Sequence, residues 1–394
     1  MKISEYEIFQ LGQGVASGQT WASSAIILKV TTSDGLVGYG EAVPTLRVRP
    51  VIEALREVGR VYKGKDPLDF EKNRWEWYKH DFYLCESFES TTALSAFDIA
   101  CWDLAGKHFG AALHQLLGGV FRDKIKLYAN GWYSACVEEE QWAEKAKVVV
   151  AKGYRALKFD PFGAYFDWID RSGIKTALKR IEAVRNAVGE DVELLIEHHG
   201  RFNPNSAIAL AKELERFEPL FVEEPVHPEN TKGLEKYRKS TKVRVALGER
   251  VITKQQLVTL AEKHLVDFFQ ADVTNIGGVT EAKKVCAITE AYGIEMAFHN
   301  AFGPIQNAVT LQLDASIPNF LIQESFYDYF PSWKRELIYD STPVVNGHSQ
   351  VSKKPGIGVD VNEKMLEELR VEGQEAFDPE EPVWVVKGTW KSGY

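Results

Sequence analysis

Apolar residues recur along the second half of the chain in short runs, and most of these runs end in a carboxylate or a histidine. The runs are IKLYANG, YRALKFD, VELLIEHH, LFVEEPV, VRVALGE, DFFQADV, IEMAFHN and NFLIQES, from Ile125 to Ser325. Helical patterns such as Asn205 to Arg216 and Thr280 to Tyr292 separate them. A continuous apolar run bounded by helical crossovers reads as a parallel strand buried on both faces. The terminators Glu197, Glu223, Glu249, Asp272, His299 and Glu324 stand 26, 26, 23, 27 and 25 positions apart. One strand with its returning helix consumes about that length, so the polar residues belong at strand ends. Eight such strands predict an α/β fold, a modified TIM barrel of (β/α)7β type, with those residues gathered at one mouth.

Residues 1–124 do not keep this beat. Ala25–Thr31 and Gly38–Val43 flank Asp34-Gly35, a turn dipeptide that predicts a β-hairpin. Between Thr91 and Phe109, Ala93, Ala96, Phe97, Ala100, Cys101 and Leu104 recur at helical spacing, and Gly110 closes the helix. The division is an α+β domain over 1–124, the barrel over 125–330, and a segment over 331–394. That last segment is aromatic and rich in Gly and Pro, and is expected to pack back on the amino-terminal domain.

A chain of 394 residues accommodates a barrel plus one accessory domain. With 56 acidic against 47 basic residues the net charge is -9, which excludes a basic footprint for nucleic acid. Cys85, Cys101, Cys136 and Cys286 form no C-x-x-C pair, so reduced thiols are expected rather than a zinc or redox site. No apolar run is long enough for a signal peptide or a membrane span, so a cytoplasmic protein without a membrane partner is expected.

Glu197, Glu223 and Glu249 end the third, fourth and fifth barrel strands. Each pair of like charges about 4 Å apart costs on the order of 4 kcal/mol at an effective dielectric of about 20, so a cation is required. All-oxygen ligation favours Mg²⁺, with Mn²⁺ as the alternative. Strand alternation puts His199 on the side of Glu197, with His198 opposite, and puts Lys158 and Asp160 together on the second strand. A lysine beside a cation at the mouth suits a substrate carboxylate. Asp272 and His299 end neighbouring strands, where the carboxylate would fix the tautomer of a general base. Glu324 is then placed to hydrogen-bond the anion formed. The bland reading of each residue alone is a structural ion pair; convergence of all of them argues against it.

These motifs resemble the mandelate-racemase-like branch of the enolase superfamily, and within it the archaeal gluconate dehydratases. The likeness runs through YGEAVPTLRV, TALSAFDIACWDLAGK, YANGWY, LKFDPFG, IEHHGRF, EEPVHPE, LGER, TNIGGVTEA, FHNAFGPIQNA and EEPVWVVKGTWK. It implies that the α+β domain caps the barrel mouth, and that Glu223 rather than Glu224 is a metal ligand beside Glu197 and Glu249. It further implies that His199 protonates a leaving hydroxyl while Asp272 and His299 abstract the proton next to a carboxylate. The expected activity is Mg²⁺-dependent dehydration of a sugar acid, D-gluconate and also D-galactonate, in a homo-oligomer. Lys158, Asp160, Glu324 and Trp21 are expected at the substrate, with Arg47, Tyr83 and Glu86 as further cap residues able to reach its tail. Two departures stand out: Asp160 replaces a second lysine of the racemases, and Glu197 replaces the commoner aspartate. The alternatives are a racemase or epimerase of a 2-hydroxy acid, and a catalytically silent sugar-acid-binding barrel.

Overall fold

The computed structural model describes residues 1–12, 24–44, 48–80, 82–83, 86–339 and 343–371. Strands β1 (Ile3–Gly12), β2 (Ser24–Thr32) and β3 (Val37–Ala42) form an antiparallel sheet in that order, and β2 and β3 are the expected hairpin, with Gly35 at φ 84° in its turn. Helices α1 (Val48–Tyr62), α2 (Phe70–His80) and α3 (Phe88–Phe109) follow. Ser87 caps α3 by accepting from the Ser90 amide, and left-handed Gly110 ends it as read from sequence.

Helix α3 is buried on nearly every side because it lies between two layers. On one side it touches β3 through glycines: a Cβ on Gly40 would stand 1.9 Å from the Ala96 carbonyl oxygen, and one on Gly38 2.4 Å from that of Ala100. On the other side Asp98 accepts from the Thr280 amide (3.0 Å) and hydroxyl (2.5 Å). That carboxylate sits at a helix N-terminus, where free amides favour an acceptor.

After a short α4 (Leu113–Leu116) the barrel strands are β4 (Lys124–Ala129), β5 (Ala156–Phe159), β6 (Glu193–Glu197), β7 (Phe221–Glu223), β8 (Val245–Leu247), β9 (Phe268–Phe269), β10 (Glu295–Met296) and β11 (Gln323–Ser325). Seven helices lie between them: α5 (Glu139–Ala151), α6 (Arg171–Val188), α7 (Pro204–Leu214), α8 (Thr231–Ser240), α9 (Lys254–Glu262), α10 (Gly278–Ala291) and α11 (Pro304–Ala315). The strands pair in parallel in the order β10-β9-β8-β7-β6-β5-β4-β11, and a parallel bridge from Met296 to Phe320 joins the two ends into a ring. This is the (β/α)7β architecture expected from the repeat.

One side chain from every strand fills the barrel: Tyr128, Ala156, Leu195, Phe221, Ala246, Phe268, Ala297 and Ile322. Large and small residues interleave, so this layer is a plug rather than a pore. Two residues further along, each strand again points inward. The positions are Asn130, Lys158, Glu197, Glu223, Gly248, Gln270, His299 and Glu324. The polar layer therefore rests on an apolar floor.

Beyond β11 the chain crosses back. His348–Gln350 pairs antiparallel with the start of β4, Lys29 meets Glu363 at 2.8 Å, and the Val371 amide donates to Gln10 at 2.9 Å. Cys101, Cys136 and Cys286 are free and buried, and Cys85 lies outside the described residues. Among the described residues no helix is long and apolar enough to cross a membrane. The closeness of α3 to β3 yields a test. Gly40→Ala should cost about 1–3 kcal/mol by overpacking, read as a lowered midpoint in thermal unfolding. An unchanged midpoint would show that the two layers separate freely.

Candidate active site

A cavity of about 1000 Å³ opens above the polar layer, and Lys158, Asp160, Glu197, His199, Glu249 and His299 line it. Lys158 is almost fully buried, with its Nζ 2.7 Å from Glu223, 2.8 Å from Glu324 and 3.3 Å from Glu197. Burial alone would lower its pKa, but Glu223 and Glu324, with Tyr128 and Glu197, carry it well above the usual value. Asp160, which shares its strand face, is not among these partners.

Asp160 instead accepts both Nη2 contacts of Arg201, at 2.8 and 2.6 Å, and faces Nδ1 of His199 at 2.7 Å. Burial pushes its pKa up, while Arg201 and His199 pull it below the ordinary carboxylate range. Opposite them, His299 Nδ1 lies 2.6 Å from Asp272. Asp272 also accepts from Gln306 (2.8 Å) and from the Thr274 hydroxyl (2.6 Å) and amide (2.7 Å). His299 Nε2 stands 3.2 Å from Glu249 and 3.9 Å from Glu324. Burial would lower the imidazole, but Glu249, Glu324 and the Asp272 hydrogen bond push it up to about 10. Glu249 and Glu324 thus both face the ring nitrogen that Asp272 leaves to the cavity.

Local backbone shapes three placements at the strand ends. Strand β6 ends at Glu197, and His199 has φ 52°, so it reaches the cavity from a left-handed turn rather than by strand parity. Glu224 likewise has φ 41°, and Arg250 engages both its oxygens, at 3.0 and 2.5 Å, leaving Glu223 to face Lys158. His198 turns away and packs edge-on between Phe162 and Phe202. Gly248, at φ 152°, lies against the Gln270 backbone, so the fifth strand supplies its acid one residue late, at Glu249.

The three glutamates suit a hard divalent cation. Glu223 Oε1 is buried without a partner, while Oε2 holds Lys158 and Gln270. Burial, and next the Glu197 charge, push Glu223 well up, and burial with Glu249 takes Glu197 to about 7 against the pull of Lys158. Carboxylates that resist ionising together, one with a bare oxygen, form an oxygen donor set short of positive charge. Among the described residues no three acidic, histidine or cysteine side chains already stand together as a closed metal cage. Lys158 lies between Glu197 and Glu223, and Glu249 faces His299 instead.

Burial raises Glu324, yet Lys158 and His299, with the Asn300 amide at 2.9 Å, bring it down to about 2, and it accepts from that amide and faces Lys158 at 2.8 Å. Trp21 and Arg47 lie outside the described residues, and Tyr83 and Glu86 are solvent-exposed and absent from the cavity wall. Phe88, Tyr133, Phe302, Phe326, Tyr329 and Phe330 form that wall in their place. Asn130 and Gln270 could have been found by counting two residues on from each plug position; Arg201 and Arg250 carried no such signal.

The arrangement defines a class: a capped α/β barrel whose mouth holds a carboxylate trio, a buried lysine and two aspartate-backed histidines. Residues 141–365 match the family described as Enolase C-terminal domain-like, and 12–118 match Mandelate racemase / muconate lactonizing enzyme, N-terminal domain. The chain belongs to this enolase-superfamily family. It is 51% identical over 371 residues to the D-gluconate dehydratase of Thermoproteus tenax, covering 94% of this chain and 75% of that protein. It is 47% identical over 389 residues to the D-gluconate/D-galactonate dehydratase of Picrophilus torridus, covering 99% of each. Among solved structures, the mandelate racemase/muconate lactonizing enzyme from Jannaschia sp. CCS1 superposes with TM-score 0.87 at 29% identity, covering 95% of this chain and 99% of that one.

The Glu324 shift gives a sign to stability at acid pH. Its folded pKa of about 2 lies below the ordinary 4.5, so its contribution is present above pH 4.5 and is lost as pH falls toward 2. Over that window Glu324→Gln should flatten the loss of stability by about 1.4 kcal/mol per pH unit, measured by urea unfolding. Parallel slopes for both proteins would show that the ion pair with Lys158 does not form.

Proposed function

We propose that the chain is a Mg²⁺-dependent aldonate dehydratase that converts D-gluconate, and also D-galactonate, to the 2-keto-3-deoxy acid and water. The observation that carries this reading is the pair of imidazoles facing one cavity, each with Nδ1 on an aspartate. They come from the third and seventh strands of an eight-strand ring, which stand across from one another. Relatives named as D-gluconate and D-gluconate/D-galactonate dehydratases support the choice of substrate.

Each aspartate fixes its ring so that Nε2 is the working nitrogen. Lys158, and the aromatic wall that excludes water, orient the substrate with its carboxylate toward the polar layer. His299 then removes the C2 proton as general base, and the electron pair moves into the carboxylate to give an enediolate. His199 delivers a proton to the C3 hydroxyl, the C3–O bond breaks, and water leaves. The enol picks up a proton at C3 and becomes the 2-keto-3-deoxy acid. Because the imidazoles address opposite faces, the elimination is anti. Glu197, Glu223 and Glu249 would hold the Mg²⁺, whose Lewis acidity stabilises charge growing on the carboxylate. D-gluconate and D-galactonate differ only at C4, away from the two reacting carbons, which is why one site serves both.

Two measurements test the reading. With an aldonate and Mg²⁺ in D2O, His299→Asn should abolish both deuterium entry at C2 and keto-acid formation. His199→Asn should cut keto acid by about 10² to 10⁴-fold while C2 exchange continues. Accumulation of an epimer without keto acid would establish the racemase chemistry instead. Independently of turnover, Mg²⁺ added to chelator-treated protein should raise stability, by about 2.7 kcal/mol at a hundred times Kd, in the wild type but not in Glu223→Gln. Equal shifts in both would remove Glu223 from the ligand set.

A further inference from the structure

We infer that Asp160, clamped by Arg201, is a positioning residue for the His199 imidazole and makes no substrate contact of its own. Although Asp160 borders the cavity, its oxygens are filled. Oδ1 accepts from Arg201 Nη2 (2.8 Å) and from the Phe162 amide (3.0 Å). Oδ2 accepts from the same guanidinium (2.6 Å) and faces His199 Nδ1 (2.7 Å). A hydroxyl of a polyol would have to displace one of these partners. Arg201 is itself anchored, with Nη1 donating to the Gly163 carbonyl at 2.8 Å and Nε to that of His198 at 3.2 Å. With Nη1 and Nε held on those carbonyls, the single Nη2 lies across both Asp160 oxygens and holds the carboxylate, which in turn holds the imidazole.

The backbone of His199 shows why such a clamp is required. At φ 52° it occupies a region that costs a non-glycine residue free energy and persists only when its surroundings over-determine it. Its amide donates to Glu197 Oε1 (2.5 Å) and its carbonyl accepts from Arg250 Nη2 (3.1 Å), which pins the main chain. Neither contact sets the rotation of the ring. Asp160 does, and selects the tautomer that presents Nε2 to the cavity, as Asp272 does for His299. Two unrelated strand ends thus carry the same device, an aspartate saturated from behind that holds an imidazole from Nδ1.

This inference rests on the dehydratase reading of His199 as the proton donor. The test measures kcat and KM for keto-acid formation from D-gluconate with Mg²⁺ in D2O, together with deuterium entering C2 of recovered substrate, for wild type, His199→Asn, Asp160→Asn and Arg201→Lys. Asp160→Asn should lower kcat by about 10 to 100-fold with KM within about twofold, and should raise the ratio of exchange to dehydration by about tenfold or more. Arg201→Lys, which keeps the charge but loses the Nη1 and Nε anchors, should move that ratio the same way by about threefold; it decides the matter if Asp160→Asn does not fold. A rise in KM with an unchanged ratio would overturn the inference and return Asp160 to substrate binding. If wild type makes no keto acid, or His199→Asn dehydrates normally, the dehydratase reading falls and takes this inference with it. If those two controls behave and only the Asp160 and Arg201 ratios stay put, the clamp alone is wrong.

Discussion

The buried ammonium of Lys158 is the constraint on which the mouth depends. It stands within 3.3 Å of three carboxylates on three different strands, in a layer with little water. Such a group survives burial only with its partners in place, since an unpaired charge there costs several kcal/mol. The same contacts limit what the carboxylates can do. Glu324 is held ionised while Glu223 and Glu197 are pushed toward neutrality, so the four groups behave as one titrating unit rather than as separate residues. A substrate that brings one more carboxylate into this layer redistributes the charge among all of them.

That redistribution bears on the roles of the two histidines. Glu249 and Glu324 face the His299 ring and favour its charged form. The aspartate behind His199 is matched by Arg201. The two dyads share an architecture but differ in what stands behind them, neutral donors from Gln306 and Thr274 for Asp272 and a guanidinium for Asp160. Asp272 and His299 thus sit beside Glu249 and Glu324, while Asp160 and His199 sit beside a guanidinium.

Most of this site is legible in the amino-acid sequence because a barrel strand has a period of two. Once one inward residue is assigned, the others follow, so Lys158 with Asp160, Glu197, Glu223, His299 and Glu324 fall where alternation and spacing put them. The backbone leaves the strand at His199 and Glu224, both left-handed, and at Gly248, which delays its successor Glu249. His199 and Glu249 still line the cavity as the sequence reading expected, but through turns that a period of two does not encode. The partner of Lys158 escapes the pattern for a related reason: Asp160 lies on the same face, but a neighbour on the same strand competes with carboxylates across the ring, and alternation alone does not measure distances across it. Arg201 is invisible because an arginine in a loop looks like any solvated charge until its burial is known. The cavity wall is the least legible, since loops after the barrel strands and the segment after β11 supply most of it and carry no periodicity.

The cap is bound to the chemistry more closely than the expected role of a lid implies. Glu41, on β3 of the amino-terminal sheet, is wholly buried and accepts from the Gln306 amide at the start of α11 (2.8 Å). The Gln306 side chain then donates to Asp272, which holds His299. A chain of hydrogen bonds therefore runs from the cap sheet to the base through one glutamine. The cap is also fixed to the barrel through Asp98 and Thr280, and its sheet lies against α3 at glycine contact distance, so β3 has little freedom to slide. In these layers a small shift cannot be absorbed by compressing the packing. The cap sheet thus acts as part of the frame that sets the Asp272 carboxylate.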